Sequence, residues 1–108
     1  MNKAEATGLI QHEVDNLRSR SYAELRGMID AEPITGERTG LSGEKYQFEI
    51  ESLWDNKPGG NIRVLGIIAE SPHKPVFWKI PVLRWIPIYT SSVTHDFIKN
   101  PSGEFVGE

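Results

Sequence analysis

Tyr46-Gln-Phe-Glu-Ile-Glu-Ser-Leu-Trp54, then Asp55-Asn-Lys-Pro-Gly-Gly-Asn61, then Ile62-Arg-Val-Leu-Gly-Ile-Ile68 is the stretch that decides the fold. Two strand-like runs flank a Pro/Gly-rich reversal. In the first run Tyr46, Phe48, Ile50 and Trp54 share one parity, and Gln47, Glu49 and Glu51 share the other. Alternation with period two marks an antiparallel strand with one buried face. The expected unit is a hairpin with Phe48 and Ile50 inside and Glu49 and Glu51 in solvent. Arg63 stands across the hairpin as a partner for the acidic face.

Upstream of the hairpin the period changes. Ala6, Ile10, Val14 and Leu17 recur at helical spacing over residues 3–19, with Leu9 alongside. Asn2 can cap the first turn, and Glu5 follows three residues later. Ser21-Tyr-Ala-Glu24 opens a second helix in the form of a capping box, and Pro33 stops it by about Ala31. Residues 34–39 read as a first strand that turns at Gly40-Leu-Ser-Gly43. Residues 76–80 and 82–90 are strand-like by composition, with Pro81 and Pro87 interrupting them. Thr94-His-Asp-Phe-Ile98 extends further, and Asn100-Pro-Ser-Gly103 is a turn before a short tail.

The fold class expected is therefore α+β. N-terminal helices over 3–31 pack on one face of an antiparallel meander of four or five strands over 34–98, with a tail over 99–108. A chain of 108 residues builds one such domain around one core, so 1–108 is a single unit.

Composition narrows the chemistry. The formal net charge is −3, and the basic and acidic residues are spread evenly along the chain. Without a basic surplus, nucleic acid is a disfavoured partner. The absence of cysteine removes disulfides, thiolate nucleophiles and zinc–thiolate sites. No run approaches the ~20 apolar residues of a membrane-spanning helix. The N-terminus lacks an apolar signal core, so the expected location is the cytoplasm.

Several segments, taken in order, are similar to a known set of sequences. They are Tyr22-Ala-Glu-Leu25, Ser42-Gly-x-x-Tyr46, Trp54-Asp-x-Lys-Pro-Gly-Gly60 with Ile62-Arg-Val64, and Asp96-Phe-Ile-Lys-x-Pro-Ser-Gly-Glu-Phe-Val-Gly-Glu108. Their order and spacing resemble short uncharacterised bacterial proteins that end in a Phe-Ile…Gly-x-Phe-Val-Gly-Glu tail. The resemblance covers nearly the whole chain except 71–94. It implies a stand-alone cytoplasmic domain, and it implies no activity, cofactor or catalytic residue.

Candidate chemistry is sparse. His95-Asp96 lies near Ser91 and Ser92, the composition of a small hydrolase or ligand-binding site. A Ser–His–Asp relay requires the three to converge. Adjacent residues of a strand point to opposite faces, which opposes that geometry. His12 and Asp15 lie one helical turn apart, a spacing that can share a metal, but His12, His73 and His95 otherwise lack ligand spacing. Asp55-Asn-Lys-Pro-Gly-Gly60 has glycines but no phosphate-loop pattern and reads as a turn. Glu49 and Glu51 lie ~7 Å apart along one strand face, a glycosidase-like separation, and read more simply as solvent-facing charges. Catalytic residues, cofactors and metals are accordingly assigned to none.

The functional lead is Val76-Phe-Trp-Lys-Ile-Pro-Val-Leu-Arg-Trp-Ile-Pro-Ile-Tyr89, apolar on both parities. A surplus of this kind suits contact with another protein or with a second copy in a homodimer. Phe77, Trp78, Trp85, Ile86 and Tyr89 are the expected contact residues. The function expected is thus protein binding or self-association without catalysis.

Overall fold

The computed structural model describes residues 2–70 and 92–108. Two helices, α1 (Lys3–Asp15) and α2 (Tyr22–Ile29), precede four strands: β1 (Ile34–Thr39), β2 (Lys45–Trp54), β3 (Ile62–Glu70) and β4 (Ser92–Lys99). The strands pair antiparallel in chain order, β1-β2-β3-β4, so the sheet is a meander and the fold is α+β. No helix among the described residues is long and apolar enough to cross a membrane.

Local sequence accounts for the helix boundaries. The Asn2 side chain accepts from the Glu5 amide at 3.0 Å and caps α1. Ser21 and Glu24 form the reciprocal capping box of α2. The α-helix stops at Asp15 rather than running to 19. Leu17, Arg18 and Arg20 donate their amides to the carbonyls three residues back, so the chain tightens into single turns. The tightened turn still delivers Leu17 to the core, which is why its apolar spacing reads as helical.

The register sorts the side chains. Tyr46, Phe48 and Ile50 of β2 face the helices together with Ile62, Val64 and Ile68 of β3 and Phe97 of β4. Ala6, Ile10, Val14, Leu17 and Leu25 close over them to form the core. α1 lies so close to β3 that only glycine fits at position 66. A Cβ there would stand 2.4 Å from Val14 Cγ2 and 2.9 Å from Ile10 Cδ1.

The opposite face corrects the expectation of a solvent-facing acidic stripe. Glu49 is only 5% exposed, and on the same face Gln47, Ile67 and Ala69 are also buried. Glu51 is half-buried. Arg63 does not serve the acids of β2. It binds Asp55 with Nη2 at 2.9 Å and Asp96 with Nη1. The reason lies in β3, whose apolar residues occur on both parities, as in a strand buried on both sides. The alternation within β2 alone does not carry that information.

Two turns share one design. Gly40-Leu-Ser-Gly-Glu44 and Asn100-Pro-Ser-Gly-Glu104 each close with the first residue's amide donating to the last residue's carbonyl. In both, the fourth residue's amide also donates to the first carbonyl. Gly43 and Gly103 sit at φ +89° and +85°, a region that side chains with a Cβ avoid. The second turn folds the tail back. Phe105 bridges to Lys99, and the Val106 amide donates to the Ile98 carbonyl, which covers one end of the outer edge of β4.

Candidate binding edge

The residues singled out by sequence as chemistry-bearing are held apart or used as fasteners. His95 faces the helices, with Nε2 3.1 Å from Asp15 Oδ1. Asp96 faces the other way, onto Arg63. The pair therefore diverges, as alternation along a strand requires. His12 is exposed and does not join Asp15. Among the described residues no group of three or more metal-ligating side chains forms. His73, Ser91, Phe77, Trp78, Trp85, Ile86 and Tyr89 lie outside the described residues.

The segments that carry the sequence resemblance are fasteners as well. Glu5 accepts from the Ser42 amide and hydroxyl at 3.0 and 2.6 Å, which ties α1 to the β1–β2 turn. The buried Tyr46 hydroxyl lies between Glu44 at 2.7 Å and Glu5 at 3.0 Å. Burial, then the hydrogen bonds to Glu44 and Glu5, push its pKa well up. The bonds from Ser42 hold Glu5 below the usual carboxylate range, and the Tyr46 hydroxyl does the same for Glu44. The carboxylates contribute stability above pH ~4 that is lost as the pH falls through their lowered values. Tyr46 contributes stability below pH ~10 that is lost as the pH rises towards its raised value.

Tyr22 donates to the Gly60 carbonyl at 2.7 Å and pins the β2–β3 turn to α2. The tail is held by Arg18, whose guanidinium lies between the Phe97 and Phe105 rings, 5.1 and 4.9 Å from their centroids. Arg18 also binds Asp15 at 2.8 Å and both oxygens of the Glu108 side chain. Burial raises the Asp15 pKa, but the hydrogen bonds from Arg18 and His95 outweigh it and leave the carboxyl below its usual value. Lys99, 6% exposed, caps the end of the same helical layer by donating to the carbonyls of Arg18 and Arg20. Nothing in the chain pattern distinguishes this buried lysine from a surface one.

With those groups engaged, a strand edge is left open among the described residues. β1 is the terminal strand of the sheet among the described residues, and five of its six residues are exposed. Hydrogen bonding in an antiparallel pair alternates with period two. Because the Gly40 amide bonds the Glu44 carbonyl, Arg38, Gly36 and Ile34 direct their backbone groups to β2. Thr35, Glu37 and Thr39 direct theirs outward. Among the described residues no strand pairs with them, and the Glu37 carbonyl accepts from Arg38 Nη1 at 2.7 Å. This alternation becomes legible only once the register is known, so the sequence reading missed the edge.

The flanks of the edge are built for access. Ile34 is 40% exposed and Leu41 106% exposed, a leucine standing free at the tip of the turn. A shallow groove of about 570 Å³ runs between Ala4, Gly8 and Leu9 of α1 and Thr39, Gly40 and Leu41 of the hairpin. Glycine at position 36 lets the Phe48 ring lie flush under the edge, since a Cβ there would come within 2.8 Å of it. The Arg38 guanidinium covers the same ring at 4.9 Å and binds Glu13 at 2.6 Å. An extended peptide laid along such an edge gains main-chain hydrogen bonds and places alternate side chains on either side. Comparisons with family models, curated proteins and solved structures give no match for this chain.

Proposed function

We propose that this chain is a non-enzymatic cytoplasmic domain that works by protein–protein contact, taking an extended strand along the β1 edge. The observation that carries this reading is the exposed terminal strand whose outward backbone at Thr35, Glu37 and Thr39 pairs with no other strand among the described residues, the Glu37 carbonyl accepting from its neighbour Arg38. Natural sheets usually blunt or cover such an edge, because it templates pairing. Here charge at Glu37 and Arg38 limits promiscuous pairing, and Arg38 engages the Glu37 carbonyl, while the amides of the outward residues stay unpaired among the described residues. The divergence of His95 and Asp96 favours binding over hydrolysis.

Glu37→Pro is the test. Proline removes an outward amide and leaves the bonds of β1 to β2 in place, and its ring suits an edge strand. The variant is expected to fold and to lose the proteins that co-purify with the wild type from its native host, while Glu37→Gln keeps them. Equal retention by the folded proline variant would overturn the reading.

A further inference from the structure

We infer that the strand taken up by the β1 edge is the β1 edge of a second copy, so that two sheets join into one across a two-fold axis at Gly36. This deepens the binding-edge reading and rests on it.

The choice of occupant comes from the charges and from the alternation of the edge. In a symmetric antiparallel pair the residue on the axis faces itself. An axis at Glu37 sets two carboxylates directly opposite, and an axis at Arg38 sets two guanidinium groups opposite. Like charges so placed oppose pairing. An axis at Thr35 brings Pro33 opposite Glu37, where Pro33 has no amide to give. An axis at Gly36 avoids both like-charge pairs and moves Pro33 to the end of the pairing, opposite Thr39, where one bond is forgone. Thr35 then faces Glu37 of the second copy, and each pair exchanges two backbone bonds, about four across the interface, with the Glu37 carbonyl using the lone pair that its bond from Arg38 leaves. The outward direction of the Thr35 and Glu37 backbone, fixed by the β1–β2 register, is the one this pairing needs.

The side chains agree with the backbone. In this register Ile34 faces Arg38 of the second copy. Ile34 is exposed in the single chain, and the aliphatic stem of arginine is a suitable cover for it. Arg38 is already held by Glu13 and laid over Phe48, so little further freedom is lost when Ile34 meets it. At the axis two glycines meet, each backed by a Phe48 ring, with no side chain to keep the strands apart.

The absence of cysteine allows a clean test of register. Ile34 and Arg38 of the second copy form a non-hydrogen-bonded pair, with Cα atoms ~4.5 Å apart, within disulfide reach. The Ile34→Cys and Arg38→Cys proteins, one of them carrying a mass tag, are mixed, oxidised and resolved by mass. The expected product is the mixed disulfide, in large excess over the dimer from either variant alone, since like positions lie four residues out of register. Introducing Glu37→Pro into both proteins should abolish the mixed product. Thr35→Cys with Glu37→Cys, tried the same way, guards against a fold lost through the Arg38 substitution. Folded proteins that give no mixed disulfide, or that give all pairings equally, overturn the inference. If the mixed disulfide fails while Glu37→Pro still releases a host protein, only self-pairing falls and the edge takes another chain. If both fail, the binding edge itself falls.

Discussion

Gly66→Ala is expected to destabilise the protein, and Gly66→Val to abolish its cooperative unfolding transition. Intrinsic propensity says the reverse. Glycine inside a strand costs ~0.5–1 kcal/mol relative to alanine, and valine is a favoured strand residue. Packing decides the sign here. The added Cβ would meet Val14 Cγ2 at 2.4 Å and Ile10 Cδ1 at 2.9 Å, and both side chains are fully buried. Neither has room to retreat, so α1 must lift from β3. Overpacking of this kind costs ~1–3 kcal/mol even where neighbours adjust. The valine adds two methyl groups to the same gap in a domain whose total stability is ~5–15 kcal/mol. Urea unfolding of the three proteins side by side gives the answer. An alanine variant more stable than the wild type would mean that α1 does not pack where described.

Ile50→Ala carries the second large effect. Ile50 is 2% exposed, central in β2, and paired with Ile34 on one side and Gly66 on the other. Truncation removes buried methyl groups beneath α1 and α2 and is expected to cost ~2–5 kcal/mol. The neighbouring acids give the contrast that reads the faces. Glu49 is buried and Glu51 half-buried, so Glu49→Ala should lower stability more than Glu51→Ala. Equivalent small effects at all three positions would place the sheet in the wrong register.

The parts of the fold that sequence made legible are those governed by short-range rules. Ser21 with Glu24, Asn2 with Glu5, the alternation of Tyr46, Phe48 and Ile50, and the two Ser-Gly turns each specify local geometry, and the structure follows them. What the sequence concealed depends on a second element. Glu49 and Gln47 look solvent-facing because β2 alternates, yet their cross-strand partners Ile67 and Ala69 are buried on the same side. The signal was present in the apolar residues of β3 at both parities. Lys99 and Arg18 were unreadable for a different reason. The role of Arg18 depends on the tail folding back through the hydrogen-bonded turn at Asn100, and that of Lys99 on β4 ending beside the carbonyls of Arg18 and Arg20.

Phe77, Trp78, Trp85, Ile86 and Tyr89, the contact residues expected from the apolar stretch, lie outside the described residues, and the open edge among the described ones is β1. Its six residues, Ile34-Thr-Gly-Glu-Arg-Thr39, carry no apolar run that would attract notice in a sequence. Their availability is a property of the backbone, which amino-acid patterns report only indirectly.

The most direct measurement is residue-resolved amide exchange across β1 as protein concentration is raised. At low concentration Gly36 and Arg38 should be protected by their bonds to β2, while Thr35, Glu37 and Thr39 exchange freely. As concentration rises, protection should appear at Thr35 and Glu37 and leave the Gly36 and Arg38 values unchanged. Slow exchange at Thr35 and Glu37 at every concentration, or free exchange at Gly36 and Arg38, would contradict the open edge on which the account depends.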